Sequence, residues 1–74
     1  MPARGANMRL NDIHKGLRVW ITNPAKVPLG YLPYGTVTRV FDHLGDHPVL
    51  NIGVLLDEEG HVVGSLRPED LDFE

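Results

Sequence analysis

The side chains with the most chemical potential crowd into one stretch, Asp42-His43-Leu44-Gly45-Asp46-His47, with two imidazoles and two carboxylates in six positions. Zinc or nickel accepts these ligand types, and His61 or Asp57 would complete a set. The spacing argues against it. Histidines four apart converge on one face only in a helix, and Gly45 within this composition reads as a loop. The stretch is read as a solvated turn, and neither a metal nor a cofactor is expected. Nucleophilic catalysis has no better footing. There is no cysteine, Ser65 is the only serine, and Thr22, Thr36 and Thr38 fall at strand positions, so no thiol or hydroxyl is visibly paired with a base. Gly30, Gly35 and Gly53 are isolated and none opens a helix, which removes a phosphate-cradling loop. The expectation is that the protein is not an enzyme.

What remains is aromatic and cationic: Trp20, Tyr31, Tyr34, Arg18 and Arg39. Aromatic and arginine side chains are the types that most often carry interface energy. Trp20 belongs to Leu17–Thr22 (LRVWIT), where Leu17, Val19 and Ile21 alternate with Arg18, Trp20 and Thr22. That period places the indole opposite the apolar set, so it is either covered or offered to a partner. The two tyrosines lie in Asn23–Tyr34 (NPAKVPLGYLPY), which carries three prolines and Gly30 in twelve residues. Each proline lacks an N–H and restricts the residue before it, so this is a long, stiffened loop. It either folds back through Val27, Leu29 and Leu32 to cap the core or presents a binding surface.

The framework for these groups is a set of short strands. In Val49–Leu66 (VLNIGVLLDEEGHVVGSL), Leu50, Ile52, Val54 and Leu56 share a face, Asp57 to Gly60 reverses the chain, and Val62 and Leu66 return. The glycine closing that turn supplies a positive φ. Gly35–Phe41 (GTVTRVF) is β-branched, with Val37 and Phe41 on one face and Val40 on the other, which predicts a bulge near Thr38 or Arg39. Asp42–Pro48 is then a turn. Leu10 and Ile13 suit one helical turn ended by Gly16; Arg67–Leu71 suits a 3₁₀ turn led by Pro68; Leu71 and Phe73 suit a short closing strand. Residues 1–7 are small, polar and aperiodic, so a disordered extension is expected there, followed by one domain over residues 8–74. Val49, Leu55, Val63, Trp20 and Val40 make a second apolar face, which points to contact with another protein or another copy of this chain.

At 74 residues the chain buries only about 60% of its unfolded surface, and without cysteines it has no disulfides to help. The net charge of −3 conceals a division. Residues 1–41 hold six cations against Asp12 alone (+5), and residues 42–74 hold nine carboxylates against Arg67 alone (−8). In an interleaved sheet these sets neutralise each other across strands; otherwise they form charged docking faces. No apolar run approaches the roughly 20 residues that cross a bilayer, and Met1–Met8 lacks the apolar centre of a secretory signal, so the expected location is cytoplasmic.

The order of elements, with Gly16-Leu17-Arg18-Val19, Gly35-Thr36-Val37-Thr38-Arg39-Val40, Asp57–Gly60 and Leu66-Arg67-Pro68-Glu69-Asp70-Leu71, resembles the Src-homology-3-like small barrels. Among these the bacterial members related to the KOW and Tudor groups are the most similar. The resemblance implies an all-β, five-stranded barrel, with a short helical turn before strand one and a 3₁₀ turn before the last strand. Its members span many functions. Tudor-type members hold methylated side chains in a cage of three or four rings, which Trp20, Tyr31, Tyr34 and Phe41 would have to supply, although Phe41 reads as core. The dihydrofolate reductase branch is disfavoured, because the matching strand here is Val63-Gly64-Ser65-Leu66. The reading reached is a noncatalytic protein-interaction module, an adaptor or accessory protein that also self-associates as a homo-oligomer, with Trp20, Tyr31, Tyr34, Arg18 and Arg39 as its contact residues. The alternative is a nucleic-acid-associated KOW-like module that meets phosphates through Arg9, Lys15, Arg18, Lys26 and Arg39.

Overall fold

A computed structural model of the chain describes residues 8–58 and 60–74. The expected disordered extension, residues 1–7, lies outside this range. Five strands follow in order: β1 (Arg18–Ile21), β2 (Tyr34–Leu44), β3 (His47–Leu56), β4 (Val62–Leu66) and β5 (Leu71–Phe73). Single 3₁₀ turns at Leu10–Asp12, Pro24–Lys26 and Pro68–Asp70 lead into or out of them. There is no α-helix among the described residues, and no helix long and apolar enough to cross a membrane.

All pairings are antiparallel and the strands form one open sheet in the order β4-β3-β2-β1-β5. Its inner face is built by alternation. Val19 and Ile21 of β1, Val37 of β2, Ile52, Val54 and Leu56 of β3, Val63 and Leu66 of β4 and Leu71 of β5 are all buried. Met8 and Ile13 join them from ahead of β1, on either side of the Leu10–Asp12 turn, which itself buries no residue. The loop after β1 lays Val27 and Tyr31 against the same core.

Three irregularities set the phase of β2, β3 and β4; one is an extra residue in β3, between Gly53 opposite Arg39 and Leu50 opposite Phe41. Along β2, Val37 faces Val54 but Arg39 faces Gly53, so one extra residue enters β2 at the position that alternation indicated. Beyond it Val40 turns to the core while Phe41, expected inside, stays 44% exposed. The third lies in β4, where Ile52 faces Leu66 and Val54 faces Val63, and Ser65 takes φ +58° in the left-handed region. This extra residue corrects the expected pattern: Val63, not Val62, shares the core face with Leu66, and Val62 faces outward.

The largest departure is at Asp42–Pro48. The chain does not turn over this stretch. β2 and β3 run on as a two-stranded ribbon, with Asp42 opposite Val49, His43 opposite Pro48 and Leu44 opposite His47, leaving only Gly45-Asp46 as the reversal. Gly45, at φ +64°, fits the first position of a two-residue hairpin turn.

Candidate site at the proline loop and tryptophan cleft

β1 and β2 place Trp20 directly opposite Tyr34, and both side chains project from the outer face. Their ring centroids are 3.8 Å apart with the planes inclined at 48°. Past the end of β1 the proline-rich loop rises beside this aromatic shelf and borders an open cleft of about 740 Å³. Its walls include Trp20 and Thr22 from the strand side, and Pro24, Pro28, Tyr31 and Pro33 from the loop. Leu29 is fully solvent-exposed at its lip.

The loop is tied down at several points. Ile21 N–H donates to Pro33 C=O (2.8 Å) at its base, and Thr22 N–H donates to Asp70 C=O (2.7 Å). Asn23 caps the Pro24–Lys26 turn by accepting from Ala25 N–H, while its amide donates to the Asp70 carboxylate at 3.0 Å. Lys26 Nζ reaches Ser65 C=O on β4 (3.2 Å). Tyr31 N–H donates to Pro28 C=O (3.2 Å), and its ring lies 5.1 Å from that of His61. A prolyl loop held this way loses little entropy when a partner docks. Comparisons with family models, curated proteins and solved structures give no significant match.

The five expected contact residues are distributed unevenly. Trp20 and Tyr34 pack as a tilted pair, Tyr31 lines the same cleft as Trp20, and Arg18 lies two residues before Trp20 on the same face of β1. Arg18 is heavily engaged. Its guanidinium binds both Asp57 carboxylate oxygens at 2.5 Å, Glu74 at 2.8 Å and the Thr36 hydroxyl at 3.1 Å. These hydrogen bonds push Arg18 above its ordinary pKa and, from the other side, hold the Asp57 carboxyl below the usual carboxylate range. Arg39 stands five residues along β2 from Tyr34, about 16 Å at strand rise. It donates to Asn51 C=O (3.1 Å) and Asn51 Oδ1 (3.2 Å), passing over Gly64, where a Cβ would lie 3.2 Å from its Nη2.

The remaining candidates disperse. Phe41 is seven residues along β2 from Tyr34, too far for the four rings to converge as a cage. His43 and His47 fall on opposite faces of the ribbon, since His43 shares a face with Pro48 and His47 with Leu44. No group of three potential metal ligands is found among the described residues. The second apolar face is smaller than expected, because Val63 and Val40 turn inward; Trp20, Val49 and Leu55 remain on it, joined by Val62. Sequence reasoning named the loop but not Thr22, Pro24 and Pro28 as walls, and the three prolines were the available signal. Chemically, the cleft offers an apolar, aromatic-walled space that can desolvate a small apolar group between Trp20 and Tyr31.

Proposed function

We propose that the chain is a noncatalytic protein-interaction module, cytoplasmic, with a small Src-homology-3-like barrel as its architecture. The strand order, the bulges in β2 and β4 and the 3₁₀ turn leading into β5 support that architecture. The observation that carries the function is the tethered proline loop that stands Tyr31 across an apolar cleft from Trp20. An aromatic anchor bordered by rigid backbone is the composition of an interface centre.

The nucleic-acid reading draws less support. Arg18 commits its donors to Asp57 and Glu74, and Arg39 commits two of its donors to Asn51. The test is affinity capture from nuclease-treated lysate of the source cell with wild type and Trp20→Ala in parallel. Retention of a protein by wild type and its loss from a folded Trp20→Ala support the reading, with a loss of about 30-fold or more in affinity for a central tryptophan. Equal retention by both forms overturns it. Nucleic acid recovered only without nuclease, with steep salt dependence, transfers the function to the basic residues.

A further inference from the structure

The two edges of the open sheet are not alike. At β5 the outward groups are occupied: Leu71 C=O accepts from Met8 N–H (3.3 Å), and Phe73 N–H donates to the Asp72 carboxylate (2.8 Å). Among the described residues, β4 is flanked by β3 alone. Leu56 N–H donates to His61 C=O (2.8 Å), which makes Leu55 and Val62 the following non-hydrogen-bonded pair. The N–H and C=O of Val62 therefore point away from β3, and by alternation so do those of Gly64. The opening ends at the bulge, where Ser65 N–H donates to Asn51 Oδ1 (2.8 Å) and Ser65 C=O receives Lys26. Edge strands are commonly blunted by charge or proline; Val62-Val63-Gly64-Ser65-Leu66 carries neither, and on its outer face Val62 and the neighbouring Leu55 are 51% and 38% exposed.

We propose that two copies of this chain pair antiparallel along the free edges of β4, about a two-fold axis at Val63. In this register the outward groups of Val62 meet those of Gly64 of the second copy, and reciprocally, giving four backbone hydrogen bonds. Each Val62 side chain then lies opposite Gly64 of the second copy, beside the Arg39 guanidinium that borders that glycine. The same register brings the acidic turn after β3, with Glu58, alongside Arg67 of the second copy. The Arg67 side chain is 68% exposed and, among the described residues, bridges only its near neighbour Glu69 (3.1 Å). Hydrogen bonding and charge are thus both self-complementary along one edge, which a two-fold contact requires. The loop that walls the Trp20 cleft touches this edge at its two ends, Lys26 at Ser65 C=O and the Tyr31 ring 5.1 Å from that of His61, with Val62 and Gly64 between those points.

Sedimentation velocity from roughly 1 μM to 1 mM tests the pairing with wild type, Val62→Pro, Val62→Lys, Arg67→Glu and Trp20→Ala. Wild type should pass from monomer to dimer in this range. Val62→Pro and Val62→Lys should weaken pairing about tenfold or more, Arg67→Glu should weaken it and reduce its salt dependence, and Trp20→Ala should pair as wild type. Proline at an outward edge N–H costs the isolated sheet no hydrogen bond, and circular dichroism verifies this; if Val62→Pro fails to fold, Val62→Lys decides. A wild type monomeric throughout, a folded Val62→Lys that pairs as tightly as wild type, or loss of pairing in Trp20→Ala overturns the proposal.

Discussion

Gly35 makes the sharpest test of how β2 and β3 meet. It is buried opposite Leu56, and a Cβ built on it would lie 2.7 Å from Val54 Cγ1 and 2.9 Å from the Leu55 carbonyl carbon, and would overlap the Leu55 carbonyl oxygen. Carbon atoms in comfortable contact sit about 3.5–4.0 Å apart, so alanine here demands that the two strands separate by about 1 Å. The obstruction is backbone, which no rotamer change relieves, so the cost belongs near the top of the overpacking range, about 3 kcal/mol. A 74-residue chain has about 4–11 kcal/mol of stability in total. The expected fall in Tm is about 12–24 °C. Gly16→Ala is the control. Gly16 has φ +91° with nothing within 4 Å of a built Cβ, so its alanine suffers only the left-handed backbone penalty, about 1 kcal/mol. Urea and thermal melts of both variants at one protein concentration give the answer. A Gly35→Ala within about 0.5 kcal/mol of wild type, or less damaging than Gly16→Ala, refutes the close approach of these strands.

The phase of β4 is tested by Val63→Ala and Val62→Ala at matched low protein concentration: the buried Val63 should cost about 2 kcal/mol and the exposed Val62 under about 0.5 kcal/mol. Equal costs would mean that no bulge separates them from Leu66. The Arg18 node predicts a pH response. Because Asp57 is held below the usual carboxylate range when folded, its contribution to stability is present at neutral pH and drains away as pH falls through that lowered value. Carbon-detected titration should find the Asp57 midpoint below those of unpaired aspartates, and Arg18→Gln should return it to their range.

The parts of this fold that were legible in sequence are those fixed by neighbours a few residues apart. β1 declared itself by strict alternation, the β3–β4 turn by Gly60 at the position that needs positive φ, and the 3₁₀ turn by Pro68. The bulge near Arg39 was visible because Val37 and Val40 are both apolar and out of phase. The bulge in β4 was not, since Ser65 adopts a left-handed conformation that serine gives no reason to expect. The ribbon from Asp42 to Pro48 was misjudged for a related reason: both of its faces are wet, so no hydrophobic period marks it, and its Asp, Gly and Pro content mimics a loop. At the site, the loop and Trp20 were legible from proline density and strand parity. The engagement of Arg18 was not, because its partners Asp57 and Glu74 lie 39 and 56 residues away.

The attachment of the proline loop to Asp70 bears on how the molecule comes together in time. The β2–β3 ribbon closes through a two-residue turn and can form within microseconds, whereas Ile21 meets Leu71 only by closing a loop of about 50 residues, an entropic cost of about 3.5 kcal/mol. During synthesis Trp20, Tyr31 and all the prolines of the cleft emerge long before the aspartate that anchors them through Thr22 and Asn23. A nascent chain therefore carries the aromatic surface in a loose form and gains a rigid cleft only after Asp70 has emerged to anchor it.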